Sequence, residues 1–217
     1  MFTNWPGVLG SEVLVAPVHL PGHGKRLNEA PIRNLRLLAQ KAFEAIQTEL
    51  RPPFCFLGHS MGALLAFEVA RLATSRQILP AYLFVGGAKP PHLRSLSKRT
   101  FDLPEPEFLR EIRKFNGTPQ EVFDSEELLA FMMPMLRSDF EAVETYVLAG
   151  AEPLCCPIVA FGGIRDPTVS EEDLRGWGQY TVAEFSYFLL PGDHFFINTV
   201  PVQLGTKLRA LLRTINR

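Results

Sequence analysis

A chain of 217 residues with 47% hydrophobic side chains is long enough to bury a full core, and a formal net charge of −1 supplies no field for nucleic acid. No apolar run reaches the length needed to cross a membrane, and the first residues lack the basic-then-apolar order of a secretion signal. Three cysteines, Cys55, Cys155 and Cys156, are an odd number without metal-ligand spacing, which predicts small buried hydrophobes in a reducing cytoplasm.

Glu12 to Val18 reads as a short buried strand, followed by the turn-rich loop Leu20-Pro21-Gly22-His23-Gly24. From Leu35 to Leu50 the apolar positions Leu35, Leu38, Ala42, Phe43, Ile46 and Leu50 recur at helical spacing, and Pro52-Pro53 ends the pattern. Phe54 to Leu57 is a predicted strand, Met61 to Ala73 a predicted helix, and Ala81 to Val85 the next strand. From about Phe101 to Ala149 the strand signal stops. Helical stretches replace it at Pro106 to Lys114, Ser125 to Leu136 and Asp139 to Leu148. The alternation resumes with strand Pro157 to Phe161, a helix around Ser170 to Trp177, strand Ala183 to Leu189 and a last helix from about Val202 to Ile215. Strands alternating with helices predict a mostly parallel, helix-flanked sheet in a single domain over residues 1–217. The helical block at about 101–149 is then an insertion over the strand ends, where such sheets bind ligands.

The strand at Phe54 runs directly into Gly58-His59-Ser60-Met61-Gly62, and a helix follows. Gly-x-Ser-x-Gly by itself is common. Between a strand and a helix it reads as a nucleophile elbow, with Ser60 on a sharp turn at the top of the sheet. A serine hydroxyl needs a base, and the base needs a carboxylate to hold it. In the α/β-hydrolase fold these follow in the order Ser, then Asp or Glu, then His. Asp166, after the strand at Pro157, and His194, after the last predicted strand, satisfy that order at strand C-terminal ends. The other histidines are worse placed: His19 and His23 precede the elbow, His59 lies inside it, and His92 follows the next strand. Asp166 is favoured as the acid, although an Asp-Pro pair also serves Asx turns. Asp193 and Asp139 remain as alternatives; neighbouring side chains such as those of Asp193 and His194 diverge on an extended segment. The backbone N–H of Met61 is the expected oxyanion donor. No metal or organic cofactor is implied.

With these residues in place, the chain resembles the type II thioesterases, stand-alone α/β-hydrolases acting beside polyketide, non-ribosomal peptide and fatty-acid synthases. The resemblance rests on Leu20 to Leu27, Phe56 to Glu68, Phe115-Asn116-Gly117-Thr118-Pro119, Pro134 to Phe140 with Tyr146, Gly162 to Asp166, and Pro191 to Phe196. The helical segment Pro134-Met135-Leu136-Arg137-Ser138-Asp139-Phe140 is the most particular of these. The resemblance implies a serine thioesterase that removes acyl groups from the phosphopantetheine arm of an acyl or peptidyl carrier protein. It also implies a monomer with the helical insertion as a lid.

Three departures stand out. His23 replaces the usual arginine, Asn116 stands where glycine is common, and the family's opening strand with its second oxyanion donor precedes the point where this sequence starts. Loss of one such donor costs roughly two to three orders of magnitude in turnover. The alternatives are therefore a non-catalytic module that binds carrier protein, and a general carboxylesterase or acyltransferase on the same scaffold.

Overall fold

A computed structural model describes residues 4–93, 99–150 and 152–215. In chain order they form α1 (Trp5–Leu9), α2 (Leu35–Ile46), β1 (Cys55–His59), α3 (Met61–Ser75), β2 (Tyr82–Gly86), α4 (Glu105–Arg113), α5 (Gln120–Phe123) and α6 (Glu126–Glu144). Then come β3 (Ile158–Gly163), α7 (Glu171–Arg175), β4 (Phe185–Leu190), α8 (Phe196–Thr199) and α9 (Pro201–Ile215). The strands make one sheet in the order β1-β2-β3-β4, every pair parallel. A parallel sheet flanked by helices agrees with the expected α/β-hydrolase fold.

Side chains alternate across this sheet, so each strand supplies both faces. One row of partners runs Phe56, Leu83, Ile158 and Phe185; the next row on the opposite face runs Leu57, Phe84, Val159 and Ser186. Neighbouring parallel strands in sequence order each need a crossover, and right-handed crossovers place every connection on one face. That common face is observed. Ala63, Phe67 and Ala70 of α3, Ala142 of α6 and Leu174 of α7 pack with Leu83, Val85, Ile158 and Ala160. The other face is covered by the ends of the chain: Trp5 and Leu9 of α1 with Leu204 and Leu208 of α9 lie against Phe84, Val159 and Phe161. Helix α2 packs outside α3, bringing Leu38, Ala42 and Phe43 against Leu65, Val69 and Ala73. Its first turn is capped by the Asn34 side chain, which accepts from the Leu37 N–H.

Three expectations are corrected. Glu12 to Val18 is irregular rather than a strand. Val13 and Val15 do turn toward the α9 side of the core, but Leu14 is 94% exposed and Pro17 has no N–H for a ladder. Cys155 is exposed, and only Cys156 is buried outright, with Cys55 half-buried. The two helices expected at Ser125 to Leu136 and Asp139 to Leu148 are one, α6, which runs through Pro134 and keeps Ser138 inside. Between β2 and β3 the described residues form α4, α5 and α6 with short helical turns. Among the described residues no helix is long and apolar enough to cross a membrane.

Candidate active site

The site is assembled at the C-terminal ends of β1, β3 and β4. Ser60 joins β1 to α3 at φ 55° and ψ −120°, a strained conformation for a residue with a Cβ. The turn is possible because Gly58 and Gly62 touch. A Cβ on Gly58 would lie 1.9 Å from the Gly62 carbonyl oxygen. The Ser60 N–H donates to the Gly86 carbonyl at 2.8 Å, so the end of β2 holds the elbow from the side. Met61 is the first residue of α3, and the first N–H groups of a helix have no intrahelical acceptor.

Asp166 lies in the turn after β3, and His194 in the turn after β4. These two turns are laced together: Ile164 N–H donates to Leu190 O and Arg165 N–H to Gly192 O, each at 2.9 Å. They approach so closely that a Cβ on Gly163 would lie 2.1 Å from the Asp193 carbonyl oxygen. The result brings three side chains into line. Ser60 Oγ lies 2.9 Å from His194 Nε2, and His194 Nδ1 lies 2.8 Å from Asp166 Oδ2. A carboxylate only accepts, so Nδ1 carries the proton and the Nε2 lone pair faces the serine hydroxyl. The His194 and Asp166 side chains are 3% and 0% exposed. Burial pushes the Asp166 carboxyl up, but the hydrogen bonds and charge of His194 and the two hydrogen bonds from Thr168 outweigh it and hold the group below its ordinary value.

Aromatic rings wall the imidazole. The Phe115 and Phe195 rings meet it edge-on at 5.2 Å and 5.1 Å between centroids, and the His59 ring lies tilted to it at 5.3 Å. His59 is held neutral, its imidazole pulled down to about 3 chiefly by burial and further by its neighbour His194.

The competing assignments are placed elsewhere. Asp193 accepts from Phe195 N–H at 3.0 Å and from Asn116 Nδ2 at 3.3 Å, and Asp139 pairs with His23 Nε2 at 2.9 Å. His92 contacts Tyr180 and Gln179. Sequence reasoning missed Phe115 and His59 as neighbours of the base, and Thr168, whose hydroxyl is 2.7 Å from Asp166 Oδ1. The only local signal for Thr168 is its place two residues after an Asp, where Asx turns close.

A family model described as "Thioesterase domain" matches residues 1–217. Linear gramicidin dehydrogenase LgrE of Brevibacillus parabrevis is 37% identical over 218 residues, covering 99% of this chain and 83% of that protein. Gramicidin S biosynthesis protein GrsT of Aneurinibacillus migulanus is 39% identical over 197 residues, covering 90% and 77%. Among solved structures, the RedJ thioesterase from the prodiginine biosynthetic pathway of Streptomyces coelicolor superimposes with a TM-score of 0.89 at 35% identity, covering 97% of this chain and 80% of that one.

Proposed function

The chain belongs to the thioesterase family, and from that premise we propose that Ser60, His194 and Asp166 hydrolyse acyl thioesters carried on the phosphopantetheine arm of an acyl or peptidyl carrier protein. One observation carries this reading: the unbroken run of contacts from Ser60 Oγ through His194 to Asp166 across three strand ends. GrsT is named for gramicidin S biosynthesis and RedJ for the prodiginine pathway, and both names support a place in a biosynthetic pathway of that kind. The name of LgrE denotes a redox enzyme. In this chain the turn where a parallel sheet would seat a dinucleotide pyrophosphate instead offers a serine hydroxyl to an imidazole.

In this mechanism His194 Nε2 takes the Ser60 proton as Oγ bonds to the thioester carbonyl carbon. The carbonyl oxygen becomes an oxyanion and accepts from the Met61 N–H. The C–S bond then breaks, and His194 returns the proton to the leaving thiolate. A water deprotonated by His194 next attacks the acyl-serine, the same steps run again, and the acid leaves. Asp166 keeps Nδ1 protonated throughout and faces the imidazolium as it forms. The block α4 to α6, inserted between β2 and β3, acts as a lid over the acyl group, and residues 1–217 work as one domain. The family resemblance supports a monomer, and the three free cysteines support a reducing cytoplasm.

Labelling of the purified protein with a fluorophosphonate, read by intact mass, tests the serine. The wild type gains one adduct, whereas Ser60→Ala gains none and loses roughly four orders of magnitude or more in turnover of an acyl thioester. Equal labelling of both proteins would sink the assignment. A substrate panel then separates the proposed activity from a general carboxylesterase: carrier-bound thioesters turn over faster than oxygen esters of the same acyl group. The opposite order would overturn the substrate class. Stable carrier binding without turnover would identify a non-catalytic binding module.

A further inference from the structure

The structure assigns Thr168 a positioning role: its hydroxyl fixes the carboxylate of Asp166 and the Nδ1 edge of His194 at once. This rests on the reading of Ser60, His194 and Asp166 given above.

The two oxygens of Asp166 have separate partners. Oδ2 accepts from His194 Nδ1 at 2.8 Å. Oδ1 accepts from the Thr168 backbone N–H at 2.8 Å and from the Thr168 hydroxyl at 2.7 Å. A hydroxyl has one proton, and the ionised carboxylate can only accept it. The Thr168 Oγ1 lone pairs are therefore free, and they lie 3.1 Å from His194 Nδ1. The Nδ1 proton thus has two acceptors, a carboxylate oxygen and a hydroxyl oxygen, arranged as a triangle.

Two consequences follow. Turning the Asp166 carboxylate about its Cβ–Cγ bond would break both bonds to Thr168, so Oδ2 stays aimed at the imidazole. The second acceptor also favours the tautomer that leaves Nε2 bare for Ser60, and it faces positive charge when the imidazolium forms. Thr168 stands at the Nδ1 edge of the ring, whereas Ser60 and the thioester meet the Nε2 edge. Its loss therefore slows the chemical step and leaves substrate binding alone.

The backbone N–H bond that closes the Asx turn survives any replacement except proline, so Thr168→Val removes the hydroxyl and little else. Thr168→Ser puts it back. Four proteins suffice: wild type, Thr168→Val, Thr168→Ser and Ser60→Ala, each assayed on octanoyl-N-acetylcysteamine and for the rate of fluorophosphonate labelling. Thr168→Val is expected to lower kcat and the labelling rate by roughly 10- to 100-fold, with KM within about twofold of wild type. Thr168→Ser is expected to stay within about threefold of wild type in both.

The proposal is overturned if Thr168→Val matches the wild type, if it raises KM without lowering kcat, or if Thr168→Ser is as impaired as Thr168→Val. The last result would mark a purely structural turn residue. Should Thr168→Val not fold, Thr168→Ala carries the same expectation. Failure of the underlying triad reads differently: wild type and Ser60→Ala would then behave alike, whatever the Thr168 variants did.

Discussion

At the scale of single residues, the proposed mechanism turns on the tautomer of His194, and the contact with Asp166 sets that tautomer. An amide in place of the Asp166 carboxylate can donate to Nδ1. The ring proton would then move to Nε2, where it blocks transfer from Ser60. Asp166→Asn is therefore expected to lower kcat by roughly 10⁴-fold in an acyl-thioester assay with an unchanged circular dichroism spectrum. Asp193, next to the base in sequence, binds Phe195 N–H and Asn116 instead. Asp193→Asn should keep at least about a tenth of the activity, and an equal loss in both variants would remove Asp166 from the site. That the side chains of Ser60, Asp166 and His194 would meet was legible because each follows a strand of one parallel sheet. The Asp-Pro turn proved to be both things at once: Oδ1 closes the Asx turn while Oδ2 meets the base. Thr168 was not legible, since nothing in Asp-Pro-Thr announces a histidine that arrives 26 residues later.

At the scale of elements, the readable signals were those complete within one segment. Helix α2 carries its own apolar stripe, and α3 its own entry turn. The segment Glu12 to Val18 shows the converse. Val13 and Val15 turn inward with period two, yet any extended chain lying on a core does so, and a ladder depends on a partner that the segment does not contain. Helix α6 runs unbroken across Arg137 to Asp139, although serine and aspartate are residues that favour helix starts. Both have tertiary employment instead. Ser138 is buried, and Asp139 reaches the loop before α2, where His23 presents Nε2 at 2.9 Å and gives Nδ1 to the Pro21 carbonyl at 3.1 Å. Both ring nitrogens face acceptors, which suits the doubly protonated cation. The hydrogen bond to Asp139 raises the His23 imidazole above its ordinary value against the pull of burial, helped by the Asp139 charge and the Pro21 carbonyl. A raised value in the folded state means stabilisation that is complete below the unfolded histidine value and fades as pH climbs through the folded one. The gap in melting temperature between wild type and His23→Gln should accordingly be widest near pH 5.5 and narrow toward about pH 8.5. A gap that stays constant with pH would show that the pair is uncharged and that only packing holds the loop to α6.

At the scale of the whole molecule, strand order determines what must cover the sheet. Alternating strands and helices made a parallel sheet legible, but which helices cover which face depends on order and handedness, which no single segment records. With the order β1-β2-β3-β4 and all crossovers on one side, Phe84, Val159 and Phe161 would meet water unless the ends of the chain folded back over them. Helix α9 shares that cover with α1 and α8, and its Leu208 is 1% exposed. Leu14, in the irregular stretch that follows α1, is 94% exposed and contributes nothing to the same face. Replacing each with alanine therefore tests the architecture with one chemical change in two places. Leu208→Ala deletes buried methyl groups and leaves a cavity under the sheet, which costs about 2–5 kcal/mol. Leu14→Ala alters exposed surface and should cost less than about 0.5 kcal/mol. Urea unfolding of both variants reads the difference directly, as a lowered midpoint at constant slope for Leu208→Ala and an unmoved midpoint for Leu14→Ala. Equal destabilisation would mean that Leu14 is itself packed in the back face, and would overturn the separation drawn between its exposed side chain and the buried Leu208.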